Sequence, residues 1–120
     1  MPENLFFFDT YAFFEILAGN PAYKRFESAD AITTIFNLAE LNFALKREGK
    51  GFADKITKKY EVLLVDVTAE DVCEAMDLRM KNRKLSIPGA IGYTVAKRHG
   101  AKFLTGDMQF EKMPGTEFIK

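Results

Sequence analysis

With 120 residues and 48% hydrophobic content, the chain can bury one substantial core and is too short for two independent domains, so residues 1–120 are read as a single domain. Its 12 phenylalanines and 28% charged residues exclude intrinsic disorder. Lys plus Arg and Asp plus Glu total 17 each, so any affinity for nucleic acid must come from local clustering or bound metal rather than a basic field.

No apolar stretch approaches the roughly 20 residues of a membrane span, and the N-terminus lacks a basic region ahead of an apolar segment. Cys73 is the only cysteine, which precludes an intrachain disulfide and points to a reducing cytoplasm. Its place in a helical pattern predicts a small buried hydrophobe.

In chain order, Leu5 to Phe8 is a continuous apolar run suited to a strand buried on both faces. A helix is predicted from Tyr11 to Ala18, closed by Gly19, Asn20 and Pro21. Tyr11, Phe13 and Phe14 cannot all share one core-facing stripe of that helix. Ala31 to Thr34 predicts a second strand, and Ile35 to Arg47 a helix that carries Glu40 and is closed by Gly49. Val62 to Val65 reads as a third strand, followed by a capping box at Thr68 to Asp71 and a helix to about Met80. Ser86 can cap a helix that tolerates Pro88 in its first turn and runs to His99. Lys102 to Thr105 and Glu117 to Ile119 complete the predicted strands. Repeated strand–helix units imply a mainly parallel central sheet covered by helices on both faces, an α/β architecture.

In such a sheet, ligands bind beyond the carboxyl ends of the strands. Asp9 follows the first strand directly and Asp107 follows the Lys102 to Thr105 strand by two residues, so both face that edge. Each could equally be a helix cap or turn residue. Glu40 has Phe36, Phe43 and Ala44 around it on its helix face, which predicts a half-buried acid that is protonated, paired with a base or bound to a cation. If the three converge, a hard divalent cation, magnesium or manganese, is the natural way to hold them together.

Three ordered segments resemble signatures of PIN domains: Phe6-Phe7-Phe8-Asp9-Thr10, Asn37-Leu38-Ala39-Glu40-Leu41, and Ala101 through Phe110 with Asp107 inside it. Within that family the chain is similar to the VapC toxins of prokaryotic toxin–antitoxin pairs. The resemblance implies a three-layer α/β/α sandwich and an endoribonuclease in which Asp9, Glu40 and Asp107 hold Mg2+ or Mn2+ while water attacks an RNA phosphodiester. It also implies a homodimer, and, for a toxin, an antitoxin whose segment covers the site. The family pattern places a further Asp where Gly89 stands, and many relatives carry an acid where this chain has Gln109. The alternative is therefore a degenerate PIN domain that binds RNA or protein without cutting; Ser86 and Asp66 are the nearby groups that could replace the missing oxygen ligand.

Other signals are ordinary by comparison. Arg79, Lys81, Arg83 and Lys84, and likewise Lys55, Lys58 and Lys59, are expected on solvated helix ends rather than a phosphate-contacting edge, because positive charge is favoured at helix C-termini. His99 is expected to be a helix-end residue, not a base.

Overall fold

The computed structural model describes residues 4–120. Four strands, β1 (Leu5–Phe8), β2 (Asp30–Ile32), β3 (Lys102–Thr105) and β4 (Thr116–Phe118), form one wholly parallel sheet in the order β2-β1-β3-β4. Helices α1 (Thr10–Leu17), α2 (Ile35–Arg47), α3 (Ala53–Lys59), α4 (Ala69–Lys81) and α5 (Ile87–Arg98) cover it.

Alternation along β1 and β3 explains why both strands are apolar throughout. Phe7 and Phe103 pair across the two strands and point into a core built with Ala75 of α4 and Ile91 and Val95 of α5. Phe8 and Leu104 pair one residue on and enter a second core with Phe13 of α1 and Leu38, Leu41 and Leu45 of α2. A strand buried on both faces needs no polar side. The outcome is the expected three-layer α/β/α sandwich.

Local chemistry sets the helix ends. Gly19 turns the chain after α1 with a φ of 76°, a conformation open to glycine at little cost, and Pro21 then starts a short 3-10 helix to Phe26. Thr68 and Asp71 form the expected capping box of α4, and the Ser86 side chain accepts from the Gly89 backbone N–H to cap α5 with Pro88 in its first turn.

Two expectations need correction, and one element went unpredicted. Val62 to Val65 is not a strand: Tyr60–Leu63 is a 3-10 turn that leaves Val62 86% exposed, and the chain meets the sheet only through a single parallel bridge between Leu64 and Thr33. The tight turn takes up the residues a ladder would need. Helix α3 went unread because its lysines hide a small apolar set, Ala53, Ile56 and Tyr60, that packs against the α2 core. Cys73 is exposed, since α4 turns Asp71 and Ala75 inward instead. Asp71, 4% exposed, is held there by Arg98, whose Nε and Nη2 donate to its two carboxylate oxygens at 2.9 and 2.8 Å. Among the described residues no helix is long and apolar enough to cross a membrane.

Candidate active site

The three predicted acids stand on different elements at the carboxyl edge of the sheet, and they line one open cleft of about 590 Å3. Asp9 occupies the junction of β1 and α1 but makes no capping bond with its side chain. Its carboxylate turns into the molecule instead: Oδ2 accepts from the Thr105 hydroxyl at 2.7 Å and Oδ1 from the Asn37 amide at 3.5 Å. Asn37 is fully buried, and the Thr34 hydroxyl donates to its Oδ1 at 2.7 Å, which leaves the amide nitrogen to face Asp9.

Glu40 projects from α2 at intermediate burial, and the Thr10 hydroxyl donates to its Oε1 at 2.6 Å. Asp107 follows β3 and does serve as a cap, its Oδ1 accepting from the Gln109 backbone N–H at 2.9 Å. The cap expectation thus holds for both positions, with the side chain making the bond at Asp107 and not at Asp9. Thr105 ties these two acids together, because its hydroxyl donates to Asp9 and accepts from the backbone N–H of Asp107 at 3.0 Å.

Burial dominates the electrostatics. Asp9 is only 5% exposed, and loss of water pushes its carboxyl up to about 7; the hydrogen bond from Thr105 opposes the rise, while the charges of Glu40 and Asp107 add to it. Among the described residues none of the three acids forms an ion pair, so the basic partner considered for Glu40 is not there. Also among the described residues, no three acidic, histidine or cysteine side chains come close enough together to clasp an ion directly. The arrangement is a carboxylate-lined cleft, not a closed cage. Hard oxygen donors with no ion-pair partner among the described residues suit a divalent cation that keeps part of its water shell, as magnesium commonly does.

The remaining candidates fall as follows. Ser86 lines the cleft, with its hydroxyl engaged by the Gly89 N–H at 2.9 Å. A side chain at Gly89 would put its Cβ 2.8 Å from that hydroxyl and 3.1 Å from the Phe110 ring. Asp66 is exposed and its backbone carbonyl accepts from Arg98 at 2.9 Å, so it supplies no substitute acid to the cleft. His99 is an exposed helix-end residue. Of the three aromatics on α1, Phe13 enters the core while Tyr11 and Phe14 wall the cleft.

The sequence profile of the PIN domain matches residues 6–115. The chain belongs to the PIN domain family. Among solved structures, this PIN domain is similar to a toxin–antitoxin complex from Klebsiella pneumoniae, with a TM-score of 0.75, 18% identity, and coverage of 93% of this chain and 95% of the other. It is also similar to Mycobacterium tuberculosis VapC20, a sarcin-ricin loop cleaving toxin, with a TM-score of 0.79, 19% identity, and coverage of 98% and 100%. At these identities the likeness is one of fold. No curated protein sequence matches the chain significantly.

Five groups at or behind the cleft of this PIN domain escaped the reading of residues: Thr10 and the buried Asn37 and Thr105, which hold the acids, and Arg47, one α2 turn beyond Phe43, and Lys120, which line the cleft. Thr10, Asn37 and Thr105 lie inside the three family-like segments, so the signal was present as short polar residues set in apolar runs. Nothing local distinguishes Arg47 from the other basic residues at a helix C-terminus.

Proposed function

We propose that this PIN domain is a metal-dependent endoribonuclease of VapC-like type, hydrolysing RNA phosphodiester bonds with Asp9, Glu40 and Asp107. The observation that carries the reading is the lining of one cleft by three carboxylates from separate segments, with Asp9 buried and, among the described residues, no ion pair to any of them. Burying such a group without compensation is costly, and a bound cation would offset the cost. The structural neighbours, a toxin–antitoxin complex and a sarcin-ricin loop cleaving toxin, support an RNA substrate and an antitoxin partner. A homodimer and a cytoplasmic setting belong to the same reading.

Asp9, Glu40 and Asp107 would hold the ion, Mg2+ or Mn2+. When bound, the ion supplies a more acidic water and Lewis acidity at a phosphoryl oxygen. The chain itself contributes orientation and charge. Thr105 and Asn37 fix the Asp9 carboxylate from two sides, and Thr10 fixes Glu40, so neither acid has to give up side-chain freedom during the reaction. Arg47 and Lys120 bring positive charge to the cleft, where it offsets repulsion between the acids and an incoming phosphate.

The second reading, a degenerate PIN domain that binds without cutting, is favoured by Gly89. An acid at that position would crowd the Ser86 hydroxyl and the Phe110 ring, and both side chains would have to give way to admit it. Cleavage of a structured RNA panel by excess protein in Mg2+ or Mn2+, beside Asp9→Asn and Gly89→Asp, separates the two. The nuclease reading expects cutting by the native chain and none by Asp9→Asn at unchanged circular dichroism. Cutting by Gly89→Asp alone assigns the native chain to the second reading.

A further inference from the structure

A second concavity lies away from the cleft and shares no lining residue with it. It measures about 600 Å3 and opens beside Ala101 and Gly115, the residues that lead into β3 and β4, whereas the cleft lies beyond the carboxyl ends of the strands. Small side chains make the room: Ala96 on α5 and Ala101 are 1% and 8% exposed, and they leave the Phe103 ring as part of the lining. Tyr93 forms a fixed aromatic wall. Its hydroxyl donates to the Pro114 carbonyl, and its ring meets Phe103 edge-on at 5.6 Å and lies alongside Phe110 at 5.9 Å. Lys97 is the one charged side chain in the lining and forms no ion pair among the described residues; Glu70 and Glu74 border a smaller pocket that shares it.

We propose that this pocket binds a small aromatic acid, its flat apolar ring system seated against Tyr93 and Phe103 and its carboxylate or sulfonate at Lys97. The site is independent of the nuclease reading. Its volume falls within the roughly 300–1,000 Å3 of small-ligand pockets, which are likewise apolar with a few polar groups to fix orientation. Charge selects the class of occupant: a lone ammonium, with no carboxylate in the lining among the described residues, attracts an anion and repels a cation. Edge-to-face and offset contacts with Tyr93 and Phe103 favour a ring over an aliphatic chain. A peptide is the poorer fit, because its backbone N–H and C=O groups need partners, and the Tyr93 hydroxyl and Pro114 carbonyl already satisfy each other. That same bond ties α5 to the turn before β4, so the wall is set before a ligand arrives and little ordering entropy opposes binding.

The test titrates the whole chain with anilinonaphthalene sulfonate, a fluorescent aromatic anion, and with phenylnaphthylamine, its neutral counterpart. Isotope-labelled methionine methyls report the position by NMR, since Met113 lines the pocket and Met108 the cleft. The expected result is saturable binding of one sulfonate per chain, with the Met113 resonance shifting and Met108 unmoved. Lys97→Gln should weaken the sulfonate about fivefold and leave the neutral probe unchanged. Ala101→Leu, which fills the pocket, should abolish binding of both. Lys97 is exposed, so its variant keeps the native fold whatever becomes of Ala101→Leu. Phe43→Ala, at an exposed ring outside the pocket, should change neither affinity. Absence of saturable binding overturns the proposal, as does sulfonate binding that Lys97→Gln leaves unaltered or that shifts Met108 in place of Met113. If Ala101→Leu keeps the sulfonate affinity but dissociates a dimer in sedimentation, the face is a contact between copies and the proposal is overturned.

Discussion

Asp9 shows how a single buried carboxylate sets both chemistry and stability. Its folded-state value of about 7 lies above the ordinary 3.8, so folding takes up a proton at this position. The associated stability is fully present below about pH 4 and is lost as pH rises through 7. In chelator at pH 8, Asp9→Asn should therefore be more stable than the native chain, by up to about 4 kcal/mol, with the difference vanishing toward pH 4. A calorimetric pH series in chelator checks this. A loss of stability in the Asn variant at pH 8 would mean that the carboxylate is compensated by the protein itself. Gly106 is a second single-residue constraint: a Cβ there would fall 2.6 Å from the Ile119 carbonyl oxygen and nearer still to the Tyr11 ring. Because the obstruction includes backbone, Gly106→Ala should cost about 1–3 kcal/mol in urea unfolding and displace Tyr11 from the cleft wall.

The pairing of α4 with α5 depends on one polar clamp. Asp71 caps α4 by accepting from the Thr68 N–H at 2.9 Å and receives both nitrogens of Arg98 from the end of α5, and the guanidinium holds its carboxyl below the usual carboxylate range. Stability from a depressed carboxyl is present above its ordinary value and is lost as pH falls through the folded value, so acid should loosen this helix pair. Asp71→Asn is expected to cost about 2 kcal/mol at pH 7, a figure that allows for the part-exposed Arg98, and progressively less below about pH 4. Chemical denaturation at the two pH values measures it. Elements also differ in how openly their sequences declare them. Leu5–Phe8 and Lys102–Thr105 were legible because strands buried on both faces are simply apolar, and α4 because its capping box is local. Val62–Val65 misled because its composition suits a strand while the preceding turn, closed by a bond from the Leu64 N–H to the Glu61 carbonyl at 3.1 Å, leaves no length for one.

Across the whole molecule, the cleft exists only because β1 and β3 end at the edge of the sheet where α2 passes, and a ligand bound there would link all three. A divalent ion with affinity for the native state alone should raise stability by about 2.7 kcal/mol at a hundred times its Kd. Thermal melts with Mg2+ or Mn2+ against chelator test this, with Asp9→Asn expected to abolish the shift. Preservation of the full shift in Asp9→Asn would place the ion elsewhere.

Much of the protein follows from local pattern: the alternation of strands and helices, the parallel sheet, the capped helices, and the three acids held in family-like segments. Each depends on hydrophobic period or on bonds within a few residues. What only the tertiary structure decided depends on partners far apart in the chain. Thr105 reaches Asp9 across 96 positions and Thr10 reaches Glu40 across 30, and no local signal records either bond. The same holds for the depth of Asp9, which is set by the layers on both sides of it, and for the exposure of Cys73, which follows from Asp71 being drawn inward to Arg98. Burial is a property of what packs against a residue, and the residue's own neighbours in sequence cannot supply it.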